Sequence, residues 1–354
     1  MISIIICARN NDISESLKYN IQSTIGTDYE LVIVDNHDNG KSIFKAYNEG
    51  VSHAKGEILC FMHDDIILHS NGWGLSVEKY FKDSSIGAIG IVGSHIIPRV
   101  GDWRVGYTGY HVLNFIQRTY TLWSGRYYSR LTQEGLSGAL TDVATIDGVW
   151  MCIRRKLFDD KELTFDETTF NSFHFYDVDI SMQLLLSGRR LVICNDIIIE
   201  HLSEGNYNDP FLKSMELFNE KWEGSLPAVA GMYIDTNTLN AKGKKAMELL
   251  RQRVRRDASI HTIKEFRNKE DVCQTKSMAL LTAEQRELVM LSEFMFMKTA
   301  IKYHPSTTAL NKMLSKYLSE DSERKLLVLW KYFLYRILHL KPRKILVQFS
   351  TNEQ

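Results

Sequence analysis

Three side chains that could bind a metal follow one apolar stretch of the sequence. His63, Asp64 and Asp65 come directly after the run EILCFM at residues 57–62. Two carboxylates and an imidazole suit Mg²⁺ or Mn²⁺, which take one or two carboxylates from a protein and further ligands from substrate phosphates and water. A tight turn or a helix N-cap would also place an Asp here. The cluster alone therefore leaves a metal site and a structural turn open.

A second acidic pair lies in the segment FHFYDVDISMQLLLSG at residues 173–188. Asp177 and Asp179 stand at the start of a predicted helix that ends near Gly188. The structural interpretation is that acidic residues complement the helix dipole. The three residues before Asp177 carry rings, an environment that can raise the pKa of a carboxyl toward that of a general base, whereas the dipole lowers it. Both roles can coexist.

The elements that must position these groups are short apolar runs that alternate with helix-like stretches up to about residue 202. Strands are predicted at residues 3–8, 30–35, 57–62, 86–93, 144–153 and 189–195. Runs rich in Ile and Val without polar alternation are typical of parallel strands covered on both faces. The spacing of strand, helix and strand indicates right-handed βαβ units. We therefore predict an α/β fold with a Rossmann-like, mostly parallel sheet and flanking helices.

Polar residues recur where the predicted strands end. They are Arg9 and Asn10, Asp35 and Asn36, His63 to Asp65, Asp147, and His201. In an open α/β sheet, ligands bind beyond the carboxyl ends of the strands. We therefore expect these five strand ends to converge on one site.

Residues 101–135 interrupt this rhythm, being rich in Trp, Tyr and Gly without a clear period. A long loop or insertion near the site is predicted, because loops of this length are usually functional. Its rings could stack on a sugar or a base, or simply pack on the body of the protein.

From about residue 230 the sequence becomes helical in character, so we divide the chain into residues 1–229 and a helical C-terminal extension, 230–354. The apolar stretch at 322–344 is interrupted by Lys331 and Arg336 and is too short to span a bilayer. It could lie on an anionic membrane surface as an amphipathic helix. Docking on the domain or on a partner is the alternative.

Charge and cysteine content restrict the class of protein. Lys and Arg number 43, as do Asp and Glu, so the formal net charge is zero and a generic nucleic-acid binder is not expected. The five cysteines form no CxxC pair, which favours a reducing compartment. The N-terminus lacks a basic segment before its short apolar run, so no signal peptide is predicted. We therefore expect a cytoplasmic protein, which could also contact the inner face of the membrane.

Five segments resemble, in order, the motifs of family 2 glycosyltransferases with the GT-A fold: SIIICARN, LVIVDN, AYNEGVSHAKGEILCFMHDD, IDGVWMCIRR and FYDVDISMQLLLSG. The resemblance spans about residues 2–222. It implies that residues 1–229 form a hexosyltransferase-like GT-A domain that uses Mn²⁺ or Mg²⁺ and a nucleotide-diphosphate sugar. The acceptor would be a saccharide or a lipid-linked molecule, and the resemblance also suggests a place in bacterial polysaccharide or glycoconjugate synthesis.

The resemblance also implies roles on the donor side. Residues Ala8, Arg9 and Asp35 match the positions that bind the base and ribose, and Asn48 matches the helix before the metal motif. The family's D-x-D motif matches His63-Asp64-Asp65, with His in place of the first Asp. Asp65 is then the main metal ligand, His63 a further ligand, and Asp64 a donor-binding residue. His201 matches a downstream His that meets the diphosphate or the metal.

On the acceptor side, the family's "ED" motif matches Tyr176-Asp177, with Tyr in place of Glu. The resemblance makes Asp177 the base that deprotonates the acceptor hydroxyl, in a single displacement that inverts the anomeric carbon. Asp147, Gly148 and Trp150 match the loop beside the acceptor. Asp179 is expected to support either the helix or the acceptor site.

Three other functions place different demands on the sequence. A Rossmann dehydrogenase would need G-x-G-x-x-G, whereas Gly87, Gly90 and Gly93 give G-x-x-G-x-x-G with no helix start after them. A metal-dependent phosphohydrolase would need further His and Asp ligands for a second metal. A non-catalytic sugar-nucleotide-binding or assembly protein could carry the same motifs, and only a measurement of turnover would distinguish it from a glycosyltransferase.

Overall fold

The computed structural model describes residues 1–10, 12–38, 40–97, 101–105, 111–121, 126–203, 209–222, 224–226 and 228–230. Apart from Ala230, the predicted helical extension, with its segment 322–344, lies outside the described residues. Within the described part of the chain, no helix combines the length and the apolar character needed to cross a membrane.

The described chain alternates strands and helices as predicted up to residue 80, whereas the described residues between 86 and 154 form strands and one short 3-10 turn but no α-helix. The strands are β1 (Ile2–Ala8), β2 (Tyr29–Asp35), β3 (Ile58–Met62), β4 (Ile66–Leu68), β5 (Ile86–Gly90), β6 (Val92–Ser94), β7 (Ile96–Ile97), β8 (His111–Thr121), β9 (Arg126–Glu134), β10 (Leu140–Val143), β11 (Thr145–Ile146), β12 (Trp150–Arg154), β13 (Arg190–Cys194), β14 (Ile199–His201) and β15 (Ala228–Val229). The α-helices are α1 (Glu15–Thr24), α2 (Ile43–His53), α3 (Trp73–Tyr80), α4 (Arg155–Asp159), α5 (Tyr176–Leu186) and α6 (Asp209–Trp222).

The main sheet has seven strands in the order β10-β13-β5-β12-β3-β1-β2. β1, β2, β3, β5 and β13 run parallel, whereas β10 and β12 are antiparallel to their neighbours. The predicted α/β class with a mostly parallel sheet is confirmed. Because β12 is antiparallel, its first residues lie at the edge of the sheet where β3 and β5 end. Asp147, which precedes β12, is thereby brought to the carboxyl ends of the parallel strands.

Two predicted strands are each divided into two shorter ones. The run at 86–93 forms β5 in the main sheet and then β6 in a second sheet, and Asn114 donates its backbone N–H to the carbonyl of Ile91 at the break. The run at 144–153 forms β11 and β12 around a turn at residues 147–149. A continuous apolar run does not reveal such a change of sheet, since both halves are buried.

The second sheet is built largely from the predicted insertion. Its order is β11-β6-β8-β14-β4, and β9 pairs with β8. The expectation of a long loop is thus wrong in part, because much of 101–135 is the strand pair β8–β9. Most β9 residues are exposed on both faces, so the strand lacks the polar–apolar alternation that would have identified it.

Helices α1 and α2 begin at serine N-caps, and α2 packs on an aromatic core. Ser14 and Ser42 cap α1 and α2 through side-chain oxygens that accept backbone N–H groups. Below the site, Tyr47 of α2 packs against the rings of Phe61 and Phe165, at centroid distances of 4.9 and 5.2 Å. Fully burying such a ring contributes about 2–3 kcal/mol. The floor of the site is therefore a packed aromatic core.

Candidate active site

A cavity of about 290 Å³ opens at the edge where the parallel strands of the main sheet end. It is lined by residues of both sheets and of the start of α5, namely His63, Val92, Trp103, Arg104, His111, Leu113, Phe115, Gln117, Asp147, Val149, Phe173, His174, Phe175, Tyr176, Asp177 and His201. Four of the sequence-predicted site residues thus share this cavity: His63, Asp147, Asp177 and His201.

His63, Asp65 and His201 form a cluster in which one ligand atom from each lies within 4.8 Å of the others. His63 follows β3, and Asp65 precedes β4. β14 runs antiparallel to β4 with His201 opposite Ile66, and Leu202 donates its backbone N–H to the carbonyl of Asp65 at 3.0 Å. Strand pairing therefore brings His201 beside Asp65 although the two are far apart in sequence.

The chemistry of this cluster fits a divalent cation. Asp65 Oδ1 is buried without a hydrogen-bond partner, at 3.7 Å from His63 Nδ1 and 3.6 Å from His201 Nε2. An orphaned buried carboxylate oxygen is costly unless a ligand satisfies it. One carboxylate and two imidazoles make a donor set that first-row divalent cations bind. The three residues could therefore hold a cation.

The protonation states agree with this interpretation. Burial raises the pKa of the Asp65 carboxyl, but the nearby His201 imidazole and Ser203 hydroxyl more than offset it, so the pKa lies below its usual range. Burial and the neighbouring His201 lower the pKa of His63, which favours the neutral imidazole that a metal requires. The alternative of a helix N-cap at HDD is wrong, since residues 66–68 form a strand.

Asp64 and Arg9 form a separate pair beside the cluster. Arg9 Nη2 lies 3.0 Å from Asp64 Oδ1 and 3.3 Å from Asp65 Oδ2. The Arg9 side chain is 69% exposed, so its guanidinium can also reach a ligand. Ala8, the last residue of β1, is buried, and its carbonyl accepts the backbone N–H of Asn36.

Asp35 and Asn48, the other two predicted donor-side residues, make different contacts. Asp35, at the end of β2, is exposed and accepts the backbone N–H and a ring nitrogen of His37. Asn48 exchanges hydrogen bonds with the backbone of Phe165 and donates to Glu167. Its amide thus anchors residues 165–167 to α2, a structural contact that the sequence did not indicate.

Asp177 is the second residue of α5 and lines the cavity. Its Oδ2 accepts the backbone N–H of Gly148 at 3.1 Å, and its Oδ1 that of Val178 at 2.9 Å. Burial and then the neighbouring Asp147 raise the pKa of Asp177 to about 6, against the opposite effects of Arg104 and the Gly148 N–H. Burial is the largest of these influences on the pKa of Asp177.

The predicted acceptor loop 147–150 divides between the cavity and the core. Asp147 lines the cavity and accepts the N–H of Val149 at 3.0 Å. A Cβ at Gly148 would lie 2.1 Å from the Tyr176 hydroxyl, so only glycine fits there. Trp150 is a correction to the prediction: its side chain is fully buried and packs edge-to-face on Trp73 at 5.8 Å, so it is not available to an acceptor.

Asp179 supports the helix, which is one of the two roles predicted for it. It is 1% exposed and does not line the cavity. Its carboxylate accepts hydrogen bonds from Trp222 Nε1 at 2.8 Å, Lys221 Nζ at 3.0 Å and Gln183 Nε2 at 2.9 Å. Burial raises the pKa of Asp179, and Lys221 acts against this. The residue thus joins α5 to the end of α6.

Sequence reasoning missed several cavity residues. Arg104 lies near enough to Asp177 to lower its pKa, and Phe173 exposes 51% of its surface beside the His63 ring, 5.7 Å away. Gln117 donates to the carbonyl of Ser203 at 2.8 Å and so supports the segment that follows His201. Arg104 and Gln117 belong to the segment 101–135, which was expected near the site. Its lack of periodicity gave no means of selecting individual side chains.

Two rival functions find no support in the described residues. Gly87, Gly90 and Gly93 are packing positions, where a Cβ would lie 2.1–2.7 Å from Arg189, Ile146 or the carbonyl of Thr145. A two-metal phosphohydrolase would need more ligands than the single three-residue group found in the described part of the chain.

Comparisons with known proteins give one family and remote structural likenesses. The model of a family described as "Glycosyltransferase like family" matches residues 3–208. A crystal structure of GalNAc-T7 with UDP, GalNAc and Mn²⁺ aligns with a TM-score of 0.41 and 15% identity, over 70% of this chain and 54% of that one, or about half its length. The structure of A197 from STIV aligns with a TM-score of 0.34 and 11% identity, over 57% of this chain and 86% of that one. No curated protein matches the chain in sequence.

Proposed function

Because this chain belongs to the glycosyltransferase-like family, we propose that it is an inverting GT-A enzyme. It would transfer a sugar from a nucleotide-diphosphate sugar to an acceptor hydroxyl with the help of a divalent cation. The observation that carries the proposal is one cavity that contains two chemically distinct groups. His63 and His201, with Asp65 between them, suit a cation, and Asp177 suits a proton acceptor.

His63, Asp65 and His201 would hold the cation. When bound, a divalent cation supplies Lewis-acid stabilisation of the charge that develops on a departing diphosphate. Arg9, which already pairs with Asp64, is exposed beside the cluster and can contact donor phosphates or the ribose. Asp35, exposed at the end of β2, is proposed to bind the nucleoside.

Asp177 would act as the general base. As the acceptor oxygen bonds to the anomeric carbon, the bond from that carbon to the diphosphate oxygen breaks, and the acceptor proton passes to the Asp177 carboxylate. Attack from the face opposite the leaving group inverts the anomeric configuration. A pKa of about 6 leaves Asp177 largely ionised at neutral pH while keeping it more basic than an ordinary Asp. The Gly148 and Val178 N–H groups fix the carboxylate in place.

The rest of the cavity would receive the acceptor. Asp147 can accept hydrogen bonds from sugar hydroxyls, and the half-exposed Phe173 ring offers an apolar surface for a sugar. A saccharide or lipid-linked acceptor, as in polysaccharide or glycoconjugate synthesis, remains the proposal. The catalytic domain would be residues 1–229 of a cytoplasmic protein, and 322–344 would contact the membrane surface.

Titration of UDP, GDP, dTDP and CMP into the full chain, with Mn²⁺ and then with EDTA, tests the proposal. Metal-dependent binding of one nucleotide is expected, followed by turnover of the corresponding nucleotide sugar with a saccharide acceptor. Absence of binding under both conditions would contradict the transferase. Binding without turnover of any tested nucleotide sugar would instead favour a non-catalytic sugar-nucleotide-binding protein.

A further inference from the structure

The side chains of His63 and Tyr176 are in direct contact. His63 Nε2 and the Tyr176 hydroxyl lie 2.9 Å apart, and Tyr176 is 4% exposed. These are the two positions where the sequence departs from the family motifs, with His for Asp and Tyr for Glu. The two departures therefore meet in one hydrogen bond.

The Tyr176 hydroxyl is held in place from two further sides. It occupies the space that a Cβ at residue 148 would need, so Gly148 admits it. The ring of Tyr47 packs edge-on against the Tyr176 ring at a centroid distance of 5.4 Å. Gly148 and Tyr47 therefore fix the position of the hydroxyl beside His63.

This arrangement determines which nitrogen of His63 can bind a cation. The Tyr176 hydroxyl occupies Nε2, which leaves Nδ1 for a cation; a neutral imidazole that binds through Nδ1 carries its one proton on Nε2, where the hydroxyl oxygen can accept it. Nδ1 then carries a free lone pair, and Nδ1 is the nitrogen that faces Asp65 Oδ1 at 3.7 Å. Metal-binding histidines commonly donate their second ring N–H to an oxygen in this way.

We propose that Tyr176 is a positioning residue for the metal centre. Its hydroxyl accepts the Nε2–H of His63, fixes the ring, and keeps Nδ1 unprotonated toward Asp65 and His201. The inference rests on the proposed function, because it assumes that the His63, Asp65 and His201 cluster binds a cation. Tyr176 would act on the metal centre through His63, without contacting the cation itself.

Titration of Mn²⁺ alone into the full chain tests this role. Tyr176→Phe keeps the ring and removes the hydroxyl, and is expected to weaken Mn²⁺ binding about 10-fold or more. Tyr80→Phe is the matched control: it removes a hydroxyl that bonds to Asp196, outside the cavity lining, and should leave Mn²⁺ affinity unchanged. In a His63→Ala background, Tyr176→Phe should cause no further loss, because the ring that it orients is gone.

A second measurement needs no variant of Tyr176. Nitrogen NMR of ¹⁵N-histidine-labelled, metal-free protein reports the tautomer of each imidazole, with His63 assigned by its absence from the His63→Gln spectrum. The Nε2–H tautomer is expected for His63.

A Nδ1–H tautomer, or Mn²⁺ binding by Tyr176→Phe equal to that of the unaltered chain, would overturn the role of Tyr176 and leave the transferase proposal standing. Failure of the unaltered chain to bind Mn²⁺ would contradict the metal centre itself, and the role of Tyr176 with it.

Discussion

The carboxylate of Asp177 accepts the backbone N–H of Gly148 at 3.1 Å, which joins the first turn of α5 to the turn between β11 and β12. The same turn carries Asp147, whose negative charge raises the pKa of Asp177. One short segment therefore both fixes the orientation of the proposed base and adjusts its basicity.

Replacing the proposed base should separate binding from chemistry. Asp177→Asn keeps the shape of the side chain but removes its capacity to take a proton, so transfer should fall about 10²–10⁴-fold. Nucleotide affinity, measured by calorimetry, should change little. Asp160→Asn, at a half-exposed carboxylate at the end of α4, is the control and should leave both quantities unchanged. Transfer at the normal rate by Asp177→Asn would rule out this assignment.

Transfer should depend on pH through Asp177. A general base is active when deprotonated, so kcat/KM should rise with pH and level off above the pKa of about 6. Removing the nearby negative charge in Asp147→Asn stabilises the Asp177 carboxylate, so the midpoint of this acid limb should move to lower pH. The pH profile of kcat/KM gives the midpoint directly. An unchanged midpoint would mean that Asp147 does not set the basicity of Asp177.

The two adjacent aspartates should differ in their effect on metal binding. Asp65 belongs to the three-residue cluster, whereas Asp64 pairs with Arg9. Asp65→Asn should therefore abolish Mn²⁺ binding measured calorimetrically. Asp64→Asn, the matched control, should retain it while weakening nucleotide binding. Equal losses in the two variants would show that both carboxylates serve the metal.

Replacing Lys221, which pairs with Asp179 in the buried contact between α5 and α6, should lower stability by an amount that depends on pH. Lys221→Met removes a cation that lies 2.8 Å from the buried Asp179 carboxylate, which should cost about 3 kcal/mol of unfolding free energy. Burial already raises the pKa of Asp179, and loss of Lys221 raises it further. A group with a raised folded-state pKa loses stability as pH rises, so the deficit should be larger at pH 8 than at pH 5.

Urea unfolding at the two pH values measures this difference. Lys156→Met, at a side chain that is 82% exposed with its ammonium 3.9 Å from Asp160, should be nearly neutral at both pH values. A deficit that does not grow between pH 5 and pH 8 would contradict the ionised pair.

Local patterns in the sequence predicted the main sheet and much of the site. Apolar runs identified β1, β2, β3 and β13, and the rule that ligands collect at strand ends correctly placed His63 at the cavity. These inferences succeed because parallel strands buried on both faces have an unmistakable composition. They need only the direction of each strand, which βαβ connections fix.

Other features depend on contacts between distant segments. Trp150 follows a strand-end Asp and a Gly, yet the alternation along β12 turns its ring into the core against Trp73. Likewise, the approach of His201 to Asp65 depends on pairing between β4 and β14, two three-residue strands that carry no distinctive pattern. Arg104 was not identified because its segment has no periodicity from which an orientation can be read.

The proposed metal ligands come from chain segments separated by most of the catalytic fold. His63 directly follows a strand of the main sheet, while His201 ends a strand of the second sheet. A cation shared by the two would act as a reversible crosslink that closes the long loop between them, in the manner of a disulfide. Binding of the cation and the stability of the contact between the two sheets would then be thermodynamically linked, so that the cation-bound protein would resist unfolding better than the cation-free one.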